Sequence, residues 1–167
     1  MKIMIDLETL GTKPNSVILS IGAVAFDENG FYDEFYVNVD LQSSIHYGFD
    51  IDASTVYWWL KQDKKAGEVL GEDKEIFGTA LGKFINFIKL HESDEIWANS
   101  PSFDLVMIKN CFSKLGIDDQ WGFWLERDFR TFLSLTNADR VYPAIAHNAL
   151  EDAKAQAQTL INYWNKA

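Results

Sequence analysis

Residues 2–39, KIMIDLETLGTKPNSVILSIGAVAFDENGFYDEFYVNV, decide the fold. Three apolar stretches, residues 2–7, Val17 to Phe26 and Phe31 to Val39, read as strands. The turn Asp27-Glu28-Asn29-Gly30 separates the last two, and the short connections make all three antiparallel neighbours. Two acids, Asp6 and Glu8, close the first strand. At a strand's period of two their side chains point to the same face.

Downstream of this meander the period changes. Val56-Tyr57-Trp58-Trp59-Leu60 reads as helix, and Ile76, Ala80, Leu81, Phe84, Phe87 and Ile88 recur at helical spacing through His91. Glu95 to Ala98 is a short buried strand, followed by a helix from about Ser102 to Leu115. A short helix is expected around Phe129 to Leu135, and a long one from His147 to Trp164 closes the chain, with a further strand among these later helices. A β-meander followed by alternating helices and strands is a mixed sheet with helices on its faces.

The 167 residues carry 47% hydrophobic side chains, including 6 Trp, 6 Tyr and 12 Phe, enough for a packed core in one domain spanning residues 1–167. No apolar run approaches the roughly 20 residues that cross a bilayer, and the first residues lack a signal-peptide hydrophobic region, so a cytoplasmic protein without a membrane partner is expected. The single cysteine, Cys111, excludes an intramolecular disulfide and a cysteine-based metal centre. Against 15 Lys plus Arg stand 25 Asp plus Glu, a net charge of −10. Taken alone, that acidity argues against a nucleic-acid partner, which usually meets a basic surface.

Three positions carry chemistry. Two carboxylates placed side by side repel by about 1 kcal/mol in water and about 4 at an effective dielectric near 20, which a cation would relieve; a solvated turn is the plainer account of Asp6 and Glu8 by themselves. Asp104 opens the helix after the Glu95–Ala98 strand, where an acid either complements the helix dipole or faces a ligand at the strand's end. On the last helix, Ala149, Ala153, Ala157, Leu160 and Trp164 form one stripe. Asp152 borders it, roughly 100° from its centre, whereas Glu151 points roughly 160° away. Asp152 can therefore reach the sheet edge, and His147, five residues earlier, can face the same space. His46, read as a loop residue, and His91, at a helix C-terminus, are surface or capping residues.

Taken together, Asp6-x-Glu8, Asp104 within Asn99-x-x-x-Phe103-Asp104, and His147-x-x-x-x-Asp152 resemble the three motifs of the DEDDh 3′-to-5′ exonucleases, the DnaQ-like branch of the ribonuclease H-like fold. The match in order and context runs from residue 3 to about residue 160. Trp58-Trp59-Leu60-Lys61-Gln62, Phe123-Trp124 with Arg127-Asp128-x-Arg130-Thr131, and His147-Asn148-Ala149-Leu150-x-Asp152 are similar to the compact phage and prophage exonuclease VIII-like and phage exonuclease A group. Histidine five residues before the last aspartate, with Asn148 rather than tyrosine four before it, marks the His subclass. One spacing departs from the proofreading members: five residues separate Asn99 from Asp104 where they have four.

The resemblance implies an α/β ribonuclease H-like mixed sheet, a three-strand antiparallel meander plus parallel strands, with helices on both faces. It implies two-metal hydrolysis of phosphodiester bonds at single-stranded or frayed 3′ ends of DNA or RNA, releasing nucleoside 5′-monophosphates; a binding or decoy protein that keeps the fold is the alternative. Asp6, Glu8, Asp104 and Asp152 would hold two divalent cations, Mg²⁺ or Mn²⁺, as hard oxygen ligands do. Histidine is the side chain that titrates near neutrality, and His147 is the expected general base. Thr9, Leu10 and Gly11 would seat the terminal nucleotide, with Leu10 wedged against its base, and Asn99 and Phe103 would adjoin it. Trp58 and Trp59 point about 100° apart on a helix, so at most one is expected wholly in the core and the other could stack on a base, with core or helix packing the plainer account of each by itself. Lys61, Lys64 and Lys65 either track phosphates beside them or form a solvated helix face, and Arg127 and Arg130 would take a structural or a substrate-phosphate role. Several relatives dimerise, and the aromatic content is compatible with a homodimer. Two bound cations would offset the four acids locally. The remaining acidity points to an enzyme that grips a few terminal nucleotides and does not slide along duplex.

Overall fold

The computed structural model describes residues 1–62 and 73–166. Strands β1 (Lys2–Thr9), β2 (Ile18–Asp27) and β3 (Gly30–Asn38) form the meander. They continue through α1 (Leu41–His46), α2 (Ala53–Trp59), α3 (Phe77–His91), β4 (Glu95–Ala98), α4 (Asp104–Lys114), β5 (Glu126–Asp128), α5 (Phe129–Leu135) and α6 (Ala149–Trp164). The sheet order is β3-β2-β1-β4-β5. β1 pairs antiparallel with β2 and β2 with β3, whereas β4 runs parallel to both β1 and β5. This is the expected mixed sheet. The fifth strand, which the sequence pattern left unplaced, is Glu126–Asp128.

β1 is central, so both its faces are covered and its side chains sort by parity. Ile3, Ile5 and Leu7 face α3 and α4, in a cluster with Phe84, Phe87, Leu105 and Phe112. Met4 faces α6, in a second cluster with Val24, Phe26, Trp97, Ala153, Ala157 and Leu160. On that second face the strands change character at one level. Beyond Met4 come Asp6 and Glu8; β2 places Gly22 opposite Asp6 and Ser20 opposite Glu8; beyond Trp97 the same face of the β4 line reaches Asn99. The apolar contact with α6 thus gives way to polar groups at the end of the sheet where β1 lies between an antiparallel and a parallel neighbour. Such switch points are where α/β sheets place ligands.

Gly22 lets α6 into that corner. A Cβ built there would lie 2.2 Å from the backbone carbon of Ala149 and from the backbone nitrogen of Leu150. Backbone cannot yield as a side-chain tip does, so the absent side chain sets how closely the helix start approaches β1. Gly22→Ala is expected to lower stability toward the upper end of the roughly 1–3 kcal/mol typical of overpacking, read as a fall in melting temperature. Hydrolysis should fall further, because a misplacement of about 1 Å at a reacting site can cost about 100-fold. Unchanged stability would show that the helix start has room to move.

Two expectations need correction. His46 is not in a loop but ends α1, a helix nucleated by Asp40, whose side chain accepts from the Ser43 backbone N–H at 2.7 Å. Ile76 does not share the buried face of α3; it is the N-cap residue and is exposed. No helix among the described residues is long and apolar enough to cross a membrane.

Candidate active site

Three carboxylates converge at the polar end of β1. One ligand atom each from Asp6, Glu8 and Asp152 lies within 4.8 Å of the others. Asp6 and Glu8 arrive by strand parity, and Asp152 by the approach of α6 over Gly22. Asp104, the first residue of α4 and 3% exposed, stands slightly apart. Its Oδ2 accepts from the Ser100 backbone N–H at 3.3 Å, and it shares with Asp6, Leu7, Asn99, Ser100, Phe103 and Arg130 a cavity of about 240 Å³.

His147 comes to the same place by an unusual turn. Its φ of 62° lies in the left-handed region, uncommon for a side-chain-bearing residue. Its backbone N–H donates to Asp152 Oδ2 at 3.1 Å. Asn148 then caps α6, accepting from the Leu150 and Glu151 N–H groups at 3.1 Å each. The imidazole meets Trp58 edge-on with ring centroids 4.8 Å apart. It forms one wall of a cleft of about 630 Å³ lined also by Leu7, Glu8, Thr9, Thr12, Ser54, Thr55, Trp58, Trp59, Phe103 and Arg130.

The electrostatics are those of acids crowded into low dielectric. Burial first, and then the charges of Asp104, Asp152 and Glu8, hold Asp6 well above the usual carboxylate range, against a hydrogen bond from Gln156. Burial, with Asp152 and Asp104 beside it, pushes Glu8 up to about 8. Asp104 rises to about 7 through burial, opposed by backbone N–H groups of Ser100, Asp104 and Leu7 and by the charge of Arg130. Burial raises Asp152 too, countered by His147 and Arg140.

These residues fit a hard divalent cation. All the donors are oxygens, and bringing them together without positive charge is unfavourable. The Asn99 Oδ1, another oxygen donor, is buried without a hydrogen-bond partner in the segment that lines the Asp6–Asp104 cavity.

Other expected site residues are distributed unevenly. Thr9 lines the cleft, but its backbone oxygen is taken by Trp59 Nε1 at 2.9 Å. Leu10 is buried: a bulge between Glu8 and Thr9 breaks the strand's period, and Leu10 joins the core with Ile3, Ile5 and Leu7. Gly11 packs within the chain, where a Cβ would meet Ser16 Oγ at 2.3 Å. Of the tryptophans, Trp59 is buried and Trp58 is 42% exposed at the cleft. Lys61 is exposed in the turn after α2 and is not one of the cleft's lining residues; Lys64 and Lys65 lie outside the described residues. Phe103 and Arg130 line both cavities. Arg127 does not join them: its guanidinium donates to the backbone oxygens of Trp124 and Glu126 at 2.7 and 3.0 Å and pairs with Glu95 at 3.5 Å. It braces the start of β5.

The motifs missed Gly22 and Gln156. A glycine inside a strand, in register with an acid, is the signal that could have marked Gly22. For Gln156 it is the step of four residues from Asp152.

Comparison with known proteins agrees with this architecture. The family model described as 3′-5′ exoribonuclease Rv2179c-like domain matches residues 1–164. An exodeoxyribonuclease of Enterobacteria phage T4 is 24% identical over 156 residues, covering 77% of this chain and 68% of that protein. Among solved structures, the zinc-bound E. coli exonuclease I complex with single-stranded DNA superposes with a TM-score of 0.77 at 13% identity over 99% of this chain, which spans only 40% of that one. The nuclease domain of 3′hExo, a DEDDh family member bound to rAMP, gives a TM-score of 0.60 at 16% identity, covering 99% of this chain and 92% of that one. Exonuclease X in complex with 5′-overhanging duplex DNA gives 0.56 at 16% identity, covering 100% and 93%. With a family match across nearly its whole length, and the ribonuclease H-like DEDDh fold beneath it, the chain belongs to the 3′-5′ exoribonuclease Rv2179c-like family of exonucleases.

Proposed function

We propose that residues 1–167 act as a single metal-dependent exonuclease domain that removes nucleoside 5′-monophosphates from single-stranded or frayed 3′ ends by a two-metal mechanism. The convergence of the Asp6, Glu8 and Asp152 ligand atoms within 4.8 Å, at the edge of a cleft walled by His147, carries this reading. Asp6, Glu8 and Asp152 would hold one cation, and Asp6 with Asp104 the second, directly or through water. When bound, Mg²⁺ or Mn²⁺ supplies positive charge for the scissile phosphate and lowers the pKa of the attacking water.

The chain's own groups do the rest. His147 accepts the proton of the attacking water on an imidazole nitrogen, and its edge contact with Trp58 limits where the ring can swing. Trp58, half-exposed beside it, offers a face for the terminal base, a contact worth about 1–3 kcal/mol and indifferent to sequence. Arg130, which lines both cavities, would meet a phosphate oxygen. Among the described residues the cleft is lined by Thr12, Ser54 and Thr55 and by no lysine, which suits an enzyme that holds a short end.

The matching family is described by action on RNA and the phage T4 relative by action on DNA. The substrate test is therefore a time course on matched, 5′-labelled DNA and RNA strands, single and duplex, with Mg²⁺ or Mn²⁺. A ladder shortening from the 3′ end is expected on single strands, with little processive digestion of long blunt duplex. No shortening of any 3′-ended strand at millimolar metal, or cleavage of circular single strands, would overturn the proposal.

A further inference from the structure

Gln156 lies one turn beyond Asp152 on α6 and is 5% exposed. Its Nε2 donates to Asp6 Oδ1 at 2.8 Å, while its Oε1 is buried without a hydrogen-bond partner. Around it on α6 the buried positions are mostly small and apolar: Ala149, Ala153, Ala155 and Ala157. A methionine of similar length would fill the same volume without stranding an acceptor, which is the costly part of burying an amide. The amide stands where packing alone would favour an apolar side chain, and its Nε2 donates to Asp6.

That contact is directional. A carboxylate turns about a broad, roughly two-fold torsion, so a donor on Oδ1 fixes the plane of the group and hence the direction in which its remaining lone pairs point. Asp6 is the member of the cluster shared between the trio with Glu8 and Asp152 and the cavity with Asp104. Its orientation therefore affects both halves of the site.

We propose that Gln156 is a positioning residue, which fixes the plane of Asp6 and thereby sets the site's affinity for divalent cations. This rests on the reading of Asp6, Glu8 and Asp152 as cation ligands. Groups that orient a metal ligand typically contribute about 10–100-fold in metal affinity.

The test is calorimetric titration of the full chain with Mn²⁺, comparing wild type, Gln156→Met, Gln156→Asn and Asp6→Asn, with melting temperatures in chelator alongside. Gln156→Met is expected to weaken Mn²⁺ binding by about 10–100-fold while its metal-free melting temperature stays close to that of wild type. Hydrolysis should recover as Mn²⁺ is raised. Gln156→Asn, which keeps the amide but is one methylene too short, should show the same loss, and it decides the matter if Gln156→Met fails to fold. Wild-type Mn²⁺ affinity in the folded Gln156 variants, with binding lost in Asp6→Asn, overturns the positioning role alone. Wild-type affinity in Asp6→Asn as well would overturn the reading of the site on which it rests.

Discussion

In metal-free buffer near neutral pH, Asp6→Asn is expected to melt above the wild type, while its hydrolysis of a 3′-ended strand in Mn²⁺ falls by about 10³-fold or more. The two effects have one cause. Burial and three neighbouring carboxylates hold Asp6 far above the ordinary carboxylate range, so its ionised form opposes folding whenever no cation is present. The asparagine amide has nearly the same shape. Its oxygen still accepts from Gln156 Nε2, and its two N–H groups can donate to carboxylates that the native aspartate repels. Removing the charge therefore stabilises the empty site by about 1 kcal/mol or more, a rise of several degrees. The same change removes the ligand shared by both halves of the cluster. A thermal scan in chelator and a single-turnover time course read the two sides separately. A lower metal-free melting temperature would mean that the acids are not strained in the fold, and retained hydrolysis would mean that Asp6 is not central to the chemistry.

Much of this site was legible in the sequence because strand and helix periodicities are geometric. The period of two places Asp6 and Glu8 on one face, and the helical angle of about 100° per residue separates Asp152 from Glu151. The four strands of the 2–39 and 95–98 segments were legible as well: β1, β2 and β4 are apolar enough to be mostly buried, and the half-exposed β3 is set off by the turn before it. Positions set by tertiary contact were not. Leu10 follows the alternation until a bulge at Glu8/Thr9 turns it into the core. Sequence leaves Arg127 and Arg130 alike, open to a structural or a phosphate-binding role, and only β5 pairing with β4, which brings Glu95 within reach of Arg127, separates them. β5 itself has three residues, too few to show a period. Gly22 and Gln156 carry no chemistry as residue types and acquire their roles only from what packs on them: the α6 backbone on one, Asp6 on the other.

The pH dependence of stability should be steep in the metal-free protein and largely cancelled in the metal-bound one. Glu8 moves from an ordinary 4.5 up to about 8, and Asp104 from 3.8 up to about 7. A carboxyl whose pKa is raised by folding holds its proton in the native state after the unfolded chain has released it, so stability falls as pH rises through that interval. Without metal, the melting temperature is expected to drop between about pH 5 and pH 8, the window set by those shifts. At about 1.4 kcal/mol per pH unit of displacement, these two groups titrating independently would oppose folding by about 9 kcal/mol at the upper end, and by less because they interact, so a fall of at least about 10 °C is expected. Asp40 and Asp52, helix caps whose hydrogen bonds lower their pKa, act with the opposite sign, but their stabilisation is lost only as pH falls below the ordinary aspartate range, outside this window. A divalent cation competes with protons for the same oxygens, so its binding releases protons and strengthens as pH rises. At a hundredfold excess over its Kd it returns about 2.7 kcal/mol by mass action. The shift produced by millimolar Mn²⁺ should therefore be large near pH 8 and small near pH 5, and calorimetry in buffers of different ionisation enthalpy should record about one to two protons released per protein near neutral pH. A metal-free melting temperature that stays level or climbs from pH 5 to 8 would contradict the burial of these acids. An Mn²⁺ shift of equal size at both ends would mean that the cation binds elsewhere than at Glu8 and Asp104.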